Sequence, residues 1–560
     1  MKTKQYVDGE LYAFMTYLHT KKALEAGSIF VKDSINYRSL NDELIPIKTW
    51  KEKKDSILRK INNPLLLTPI DKILLDINSQ LESKYQKVNR RIKSKENKDI
   101  TIDTKKNKIT WKLPYKKQED QVNNPFYEKL PTNNISDVIR IVAEKTDFLK
   151  YFTHIQPNSS KTRAELDSII AYMISRGSGI GKSRMTDISD ITLSELDTTE
   201  NNFIRLETLR KSNDQIVNCM AKLPIFKYYN LSDYGIHVSL DGQKIESKYL
   251  TIKARNSSKY FGRSKGVVSY TLVANHVPIN TMIIGANEHE SNYVFDIVYN
   301  NTTDIVISAV SSDMHGINRV NFFLLYMFGY WFTPRLTSIN EKAEKNLATF
   351  SNLDKYKNFL IKPSIQVDQE AIKVEWDNVL RILASLALKE TSQSIIVKKL
   401  SSYKSVDSTL KAMIDLDKLI MSSYILDYID DGNLRSIVHR ALNRGESFHQ
   451  IRSAILQISG RKLAGRNDIE LEISNECNRF LANCIIYFNA YILSDLLKIY
   501  ESKKQTKICE LIKRLSPVAW QHINMVGKFE FFTNQQKIDF SNLTEELVKQ
   551  LGENFSFTKL

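Results

Sequence analysis

Residues 234–241, YGIHVSLD, and residues 304–313, DIVISAVSSD, decide the fold. Their alternating and β-branched composition predicts two β-strands, each ending in an aspartate, and the GQK that follows Asp241 is typical of a turn. Further strands between them could bring the two ends side by side. Neighbouring carboxylates at strand ends suit a hard divalent cation such as Mg²⁺. The alternative is that Asp241 and Asp313 are ordinary turn-forming residues.

Strand-like and helical segments are unevenly distributed along the chain. Residues 161–235 are mainly helical by their apolar periodicity, and from about Asn318 onward the pattern is again helical. Between these regions lie three β-rich runs, TIKARNSSKYF (251–261), KGVVSYTLVANHV (265–277) and NTMIIGA (280–286). This order predicts an α/β core set within helical domains.

Charge is the main compositional signal. Lys and Arg number 80 against 64 Asp and Glu, a formal net charge of +16, which indicates a polyanionic partner such as nucleic acid. Residues 84–117 alone hold 13 Lys and Arg and three acids. This basic segment is either a solvated linker or hairpin, or a surface that contacts the DNA backbone. The 42% hydrophobic content excludes a disordered chain.

The chain is expected to reside in the cytoplasm. Its four cysteines form no CxxC pair, as expected in a reducing compartment. No uninterrupted apolar run reaches the ~18 residues of a membrane span, and the run at 322–332, FFLLYMFGYWF, is better suited to a buried helix. We therefore expect no membrane partner.

Residues 177–183, GSGIGKS, resemble a phosphate-binding loop but do not satisfy its requirements. Position 176, where the motif needs its first glycine, is Arg176, and the preceding residues are helical rather than a strand. We therefore predict a glycine-rich turn between two helices and no nucleotide cofactor.

Several long blocks of the sequence resemble Tn3-family transposases. They include SLDGQK (239–244), SSDMHG (311–316), RALNRGESFHQIR (440–452), NECNRFLANCIIYFNAYIL (475–493) and the closing LSPVAWQHINMVGKFEF (515–531). The matching blocks run, with gaps, from about residue 10 to residue 531. Full-length members carry a long N-terminal region that recognises the inverted repeats of the transposon. We expect that region to be missing here, so the chain is interpreted as a truncated, C-terminal catalytic part.

The resemblance implies a mixed α+β fold with an RNase H-like catalytic core, in which a mixed sheet is flanked by helices and interrupted by a helical insertion. It also implies a metal-binding triad of Asp241, Asp313 and Glu446, holding Mg²⁺ or Mn²⁺, with two ions expected. The expected segments are a helical scaffold (1–160), a helical lead-in (161–235), the first part of the core (236–345), the insertion (346–430) and the glutamate helix with the C-terminal part (431–560).

A basic and aromatic cluster between the two aspartates is predicted to contact DNA. Lys and Arg would bind phosphates, and aromatic rings would stack on unpaired bases. The helix that follows Glu446 is expected to add two more contacts, although solvent exposure alone could explain these side chains. The predicted DNA-binding residues are Lys253, Arg255, Lys259, Tyr260, Arg263, Lys265, His449 and Arg452.

The leading functional hypothesis is a DDE transposase that cuts double-stranded DNA at transposon ends and joins it to target DNA, acting as a homodimer on DNA. The alternative is a non-catalytic DNA-binding or assembly fragment that modulates a full-length transposase. A generic nuclease is disfavoured by the family-specific closing block. The presence of all three acids favours the enzyme.

Overall fold

Helices dominate the described part of the chain. The computed structural model describes residues 8–25, 29–31, 34, 37–103, 108–111, 113–115, 120, 122, 124–159, 161–233, 235–400 and 408–531. The α-helices, in chain order, are α1 (Gly9–Glu25), α2 (Leu40–Glu43), α3 (Ile47–Ile61), α4 (Pro64–Leu67), α5 (Ile70–Lys93), α6 (Ile135–Thr146), α7 (Leu166–Gly177), α8 (Lys182–Asp187), α9 (Leu193–Phe203), α10 (Leu206–Ala221), α11 (Ser258–Phe261), α12 (Val294–Tyr299), α13 (Asn321–Met327), α14 (Ile339–Lys345), α15 (Gln369–Ala387), α16 (Gln393–Leu400), α17 (Ser408–Asp430), α18 (Gly432–Ile455), α19 (Asp468–Ser502) and α20 (Thr506–Ile512).

Strands are fewer, and the long ones cluster between residues 236 and 312. The strands are β1 (Ile100–Asp103), β2 (Lys108–Trp111), β3 (Asn133–Asn134), β4 (Ile236–Ser247), β5 (Arg255–Asn256), β6 (Lys265–Ala274), β7 (Val277–Gly285), β8 (Ile307–Ser312), β9 (Trp331–Phe332), β10 (Ala348–Thr349), β11 (Ile365–Gln366), β12 (Lys462–Leu463) and β13 (Ile523–Asn524).

The four long strands form a mixed sheet in the order β7, β6, β4, β8. β4, β6 and β7 are antiparallel neighbours, and β8 runs parallel to β4. The helices predicted over 161–235 are present as α7 to α10. The expected mixed α+β fold, a mixed sheet flanked by helices, is therefore confirmed.

β4 is longer than its sequence pattern predicts. The GQK segment after Asp241 is not a turn, because β4 continues to Ser247 and stays paired with β6 as far as Glu246↔Gly266. Gly242 lies inside this strand, at a position where a Cβ would come 2.3 Å from Oε1 of Glu290. The prediction failed because glycine and two polar residues favour a turn locally, whereas the partner strand β6 imposes an extended backbone.

The β-rich run expected at 251–261 is also mostly wrong. Only Arg255 and Asn256 form a strand there, and the next residues form the short helix α11. The amide of Asn256 donates to the carbonyl oxygens of Gly262 and Ser264, at 3.4 and 3.3 Å, which closes the segment into a loop. Local side-chain hydrogen bonds of this kind compete with strand pairing.

The chain forms two compact units. The first comprises Met1–Lys116, Ser291–Asp296 and Met314–Arg435, and the second comprises Lys117–Glu290, Ile297–Asp313 and Ser436–Leu560. In the first unit α17 packs against α5, α13 and α15. In the second unit α19 packs against α6, α7, α10 and β7. The five-part division expected from the sequence stays a prediction.

The basic segment 84–117 begins in α5 and continues into the hairpin of β1 and β2, which pair from Ile100↔Trp111 to Asp103↔Lys108. A hairpin was one of the two predicted interpretations. Residues 104–107, 112 and 116–117 of the segment lie outside the described residues. Whether this surface contacts DNA therefore stays a prediction.

Helix α19 has the length and composition of a membrane span, but it is built into the second unit. Among the described helices it alone passes that test, and 89% of its most apolar window is buried inside the protein. Such burial is typical of the central helix of a folded core.

The glycine-rich stretch at 177–183 is a turn between two helices, as predicted. α7 ends at Gly177, and α8 begins at Lys182 after Gly181, whose φ of +88° is accessible mainly to glycine. The ammonium of Lys182 forms ion pairs with Asp197 and Glu200.

A buried carboxylate holds α18 in place within the second unit. Asp120 pairs with Arg440, and its Oδ2 accepts a hydrogen bond from Nε of Arg444 at 2.7 Å. Arg444 also donates to the carbonyl oxygen of Tyr229 at 2.7 Å. Burial opposes ionisation of Asp120, but Arg444 outweighs it, together with the neighbouring His276 and Arg440. The pKa of Asp120 therefore lies well below its usual range.

We predict that Arg444→Ala destabilises the protein by about 3–5 kcal/mol, because it leaves the Asp120 carboxylate buried beside one remaining partner. Arg440→Ala is the matched control. Arg440 is 22% exposed and Arg444 is 3% exposed, so the loss of Arg440 should cost less. Chemical denaturation at neutral pH measures both variants. Equal costs would contradict the assignment of Arg444 as the main partner.

Asp417 is a buried carboxyl of the first unit. It is 3% exposed, and its Oδ1 accepts a hydrogen bond from the Phe323 N–H at 3.0 Å. Burial raises the pKa of Asp417 to about 7 from its ordinary 3.8. Because the unfolded chain loses this proton first, stability falls as pH rises from about 4 to about 7, by up to about 1.4 kcal/mol per pH unit.

We therefore predict that Asp417→Asn removes this loss. The free energy of unfolding of the variant minus that of the wild type should rise between pH 4 and pH 7 and then level off, because asparagine does not titrate. Urea denaturation across this pH range measures the difference. A difference that is flat across the range would show that Asp417 is ionised in the folded protein.

Candidate active site

The parallel pair of strands β4 and β8 places the two predicted aspartates at one level. Their pairing ends at Leu240↔Ser312, so Asp241 and Asp313 are the next residues on the two strands. A buried hydrogen bond of 2.7 Å between Nε2 of His237 and Oγ of Ser311 links the same strands. Burial lowers the pKa of His237 to about 3, so this imidazole is neutral and adds no charge beneath the acids.

Helix α18 brings Glu446 to Asp241. The helix lies directly on β4 at Gly445, where a Cβ would be 3.3 Å from Oγ of Ser239 and 3.6 Å from Cβ of Asp241. Glycine at this position fits the close approach of helix and strand, and the next residue, Glu446, lies beside Asp241.

His449 completes a tight group with these acids. Its Nδ1 is 3.7 Å from Oδ2 of Asp241 and 3.8 Å from Oε2 of Glu446. Among the described residues, the potential ligand atoms of Asp241, Glu446 and His449 all lie within 4.8 Å of one another, and Asp313 is not part of this group. The structure thus places Asp313 beside Asp241 by register and brings Glu446 and His449 closer still.

The acids carry opposite pKa shifts. Burial raises the pKa of Asp241, and the nearby Glu446 and Asp313 raise it further, while His449 lowers it. The pKa of Glu446 is lowered, chiefly by the neighbouring imidazole of His449. Like charges gathered in a partly buried site disfavour joint ionisation, which a bound cation would relieve.

These residues fit a divalent cation. Carboxylate oxygens are the ligands that Mg²⁺ and Mn²⁺ prefer, and Asp241 and Glu446 present such oxygens within 4.8 Å of each other. Nε2 of His449 is buried and has no hydrogen-bond partner among the described residues. A buried polar atom without a partner is unusual and marks a place where water or a ligand completes the site.

An open pocket of about 610 Å³ adjoins the acids. Its lining includes Glu446 and His449 on one side and Lys244, Tyr260 and Trp520 on the others. Nζ of Lys244 is 3.6 Å from Oε1 of Glu290 and 4.5 Å from the ring centroid of Tyr260. The pocket therefore combines cationic and aromatic side chains next to the acidic group, as a nucleic-acid strand requires.

Lys244 and Glu290 were missed by the sequence reasoning. Lys244 was assigned to a turn, so its side chain could not be placed beside the acids. Glu290 gave no local signal, because it follows β7 by five residues, at the start of a short 3-10 helix (Glu290–Tyr293). The close approach of Glu290 to Gly242 is a signal only once the strand pairing is known.

Most of the predicted DNA-binding cluster is on the surface. The exposed members are Arg255, Lys259, Tyr260, Arg263 and Lys265. Lys253 is only partly exposed, because its ammonium donates to the carbonyl oxygen of Ile283 at 2.8 Å and lies 3.2 Å from Oε1 of Glu472. Lys253 is therefore already paired inside the protein, unlike the exposed members.

The predicted contact of Arg452 with DNA is wrong. Arg452 is fully buried, donates to the hydroxyls of Ser269 and Thr271 on β6, and lies 4.6 Å from the ring centroid of Phe448. Its face of α18 points into the sheet. His449 does not project outward either, since it is only 9% exposed and faces the acids.

Comparison with known proteins identifies the family. Residues 137–529 match the model of the Tn3 transposase DDE domain. The transposase for transposon Tn1546 of Enterococcus faecium is 24% identical over 541 residues, which cover 95% of this chain and 52% of that protein. The transposase for transposon Tn2501 of Escherichia coli is 24% identical over 547 residues, covering 95% of this chain and 53% of the relative.

A third relative, the transposase for transposon gamma-delta of Escherichia coli (strain K12), is 22% identical over 93% of this chain and 52% of its own length. The chain thus spans about half the length of the curated relatives it matches. The family model covers most of the sheet, α18 and α19, including every residue of the acidic group. The chain therefore belongs to the Tn3 transposase DDE family.

Proposed function

We propose that this chain is the catalytic part of a Tn3-family transposase, which cuts DNA at transposon ends and transfers the freed strand to target DNA. Asp241, Asp313 and Glu446 are the proposed catalytic triad. The observation that supports this most directly is the approach of α18 to β4 at Gly445, which puts Glu446 and Asp241 in one group beside Asp313.

The triad is proposed to hold Mg²⁺ or Mn²⁺, with two ions in the complete complex. When bound, such ions stabilise negative charge on the phosphate and favour ionisation of the attacking oxygen. The acids of this chain neutralise the ions and fix their position. A positive charge beside Asp241 would favour its ionised form, which burial and the neighbouring Glu446 and Asp313 oppose.

Double-stranded DNA is the proposed substrate. The exposed cations Arg255, Lys259, Arg263 and Lys265 would contact phosphates, and the half-exposed ring of Tyr260, at the edge of the pocket, would stack on a base. We further propose that the protein acts in the cytoplasm, without a nucleotide cofactor, as a homodimer on DNA. Recognition of the transposon ends would need residues that the longer relatives have and this chain does not span.

We predict that Asp241→Asn abolishes metal-dependent nicking and strand transfer, because it removes a ligand charge from the site. The assay uses a pre-nicked transposon-end duplex with Mn²⁺, Mg²⁺ or a chelator. The wild type should give product only with metal, and Glu446→Gln should behave like Asp241→Asn. Asp354→Asn, at an exposed position of the first unit, is the matched control and should keep activity.

Product that is equal in all lanes would show that the triad is not the active site. If the wild type binds DNA and metal but gives no product, the non-catalytic assembly fragment becomes the better hypothesis. A full-length relative, assayed with and without added chain, then tests whether this protein modulates it.

We predict that the double variant Arg263→Ala, Lys265→Ala binds DNA more weakly and with a shallower salt dependence. Removing two phosphate contacts should reduce the slope of log K against log salt by about two. The control is Lys498→Ala, Lys503→Ala, which removes two exposed lysines near the end of α19. Fluorescence anisotropy with labelled duplex from 50 to 200 mM salt measures the slopes. Identical slopes in both double variants would contradict contact by this cluster.

A further inference from the structure

We propose that His449 is a nitrogen ligand of the divalent ion that the triad holds, which makes the site a mixed oxygen and nitrogen site. This inference rests on the proposed function, because it concerns the same acidic group. It assigns to His449 a direct bond to the metal, where the sequence analysis left contact with DNA and simple solvent exposure as alternatives. The alternative of a side chain that faces solvent does not apply, because His449 is only 9% exposed.

The distances among Asp241, Glu446 and His449 suit a shared metal ion. Nδ1 of His449 lies 3.7 Å from Oδ2 of Asp241 and 3.8 Å from Oε2 of Glu446, and all three potential ligand atoms are within 4.8 Å of one another. A point equidistant from three atoms spaced in this way lies about 2.0–2.5 Å from each, which is the range of metal–ligand bonds. The three atoms can therefore share one ion without movement of the backbone.

The geometry of α18 also supports the assignment of His449 as a ligand. Glu446 and His449 are three residues apart, which puts both side chains on one face of α18. This turn of the helix is fixed to the sheet, because the amide of Gln243 on β4 donates to the carbonyl oxygen of His449 at 3.1 Å and to Oγ of Ser453 at 2.8 Å. The imidazole is thus held at the acids by the backbone that carries it.

The remaining ring nitrogen is consistent with this assignment. Nε2 of His449 is buried without a hydrogen-bond partner among the described residues, and the side chain lines the open pocket. A histidine that ligates metal through one nitrogen usually donates the N–H of the other to an oxygen. Here Nε2 finds no acceptor among the described residues, so a water enclosed in the site would have to supply it.

A nitrogen ligand has a chemical consequence for the choice of metal. Mg²⁺ and Mn²⁺ both prefer oxygen ligands, but Mn²⁺, as a first-row transition metal, accepts an imidazole nitrogen more readily than Mg²⁺ does. The ratio of Mn²⁺ affinity to Mg²⁺ affinity should therefore be larger in the wild type than in a variant whose ligands are all oxygens. His449→Asp creates such a variant at the same position.

The test is pulsed electron paramagnetic resonance of Mn²⁺ bound to the full chain without DNA, with protein containing ¹⁵N-labelled histidine. Direct coordination should give a nitrogen coupling that changes on labelling and disappears in His449→Gln. His439→Gln, a histidine variant on the same helix outside the acidic group, should keep the coupling. Calorimetry should show that His449→Gln weakens Mn²⁺ binding by at least about tenfold. In His449→Asp the ratio of Mn²⁺ affinity to Mg²⁺ affinity should be smaller than in the wild type.

Bound Mn²⁺ without a histidine coupling would overturn the inference and leave the proposed function intact, since the acids would hold the ion alone. A coupling that persists in His449→Gln would also overturn it. Failure of the wild type to bind Mn²⁺, or binding that Asp241→Asn does not weaken, would instead count against the triad. Circular dichroism of each variant establishes that a lost coupling does not reflect unfolding.

Discussion

One buried ion-pair cluster determines where the glutamate helix lies. Asp120 receives hydrogen bonds from Arg440 and Arg444, and Arg444 in turn reaches the backbone at Tyr229. An isolated carboxylate at this depth would be strongly unfavourable, so the cluster holds together only with α18 in place. Because Arg444 lies two residues before Glu446, the same contact that satisfies Asp120 also sets the position of Glu446. The geometry of the acidic group thus depends on a charge cluster outside it.

Helix α18 divides its polar residues between two environments. Glu446 and His449 face the acidic group, whereas Arg444 and Arg452 point into the protein and pair with groups there. Acceptors around a buried guanidinium stabilise it, although Nη2 of Arg444 and Nε of Arg452 have no hydrogen-bond partner among the described residues. Ser269 and Thr271 on β6 supply acceptors for Arg452, and this polar contact joins the helix to the strand next to β4.

The sequence pattern was sufficient to predict the two aspartate strands, the helical flanks and the glycine-rich turn, because alternation, helical period and glycine conformations are local properties. Glu446 was predicted from the resemblance alone, because 132 residues lie between it and Asp313 and no local pattern links the two. The continuation of β4 past Asp241, the burial of Arg452 and the orientation of His449 were not predictable. Each depends on a partner distant in the chain, such as β6 for residues 242–247. Asp120 was overlooked for the same reason, because it lies in a polar stretch, KKQEDQVNN, that resembles a solvated loop.

The long sequence separation of the contacts that build the site has a consequence for synthesis on the ribosome. Asp120, Asp241 and Asp313 emerge well before Arg444 and Glu446, and α19, which packs beneath β7, emerges later still. Contacts between residues so far apart in the sequence form late in folding, because the chain between them must be ordered first. A nascent chain that carries both aspartates therefore has no complete acidic group until residues 446–449 have been translated. Any product of interrupted translation that ends before residue 446 would lack that group altogether.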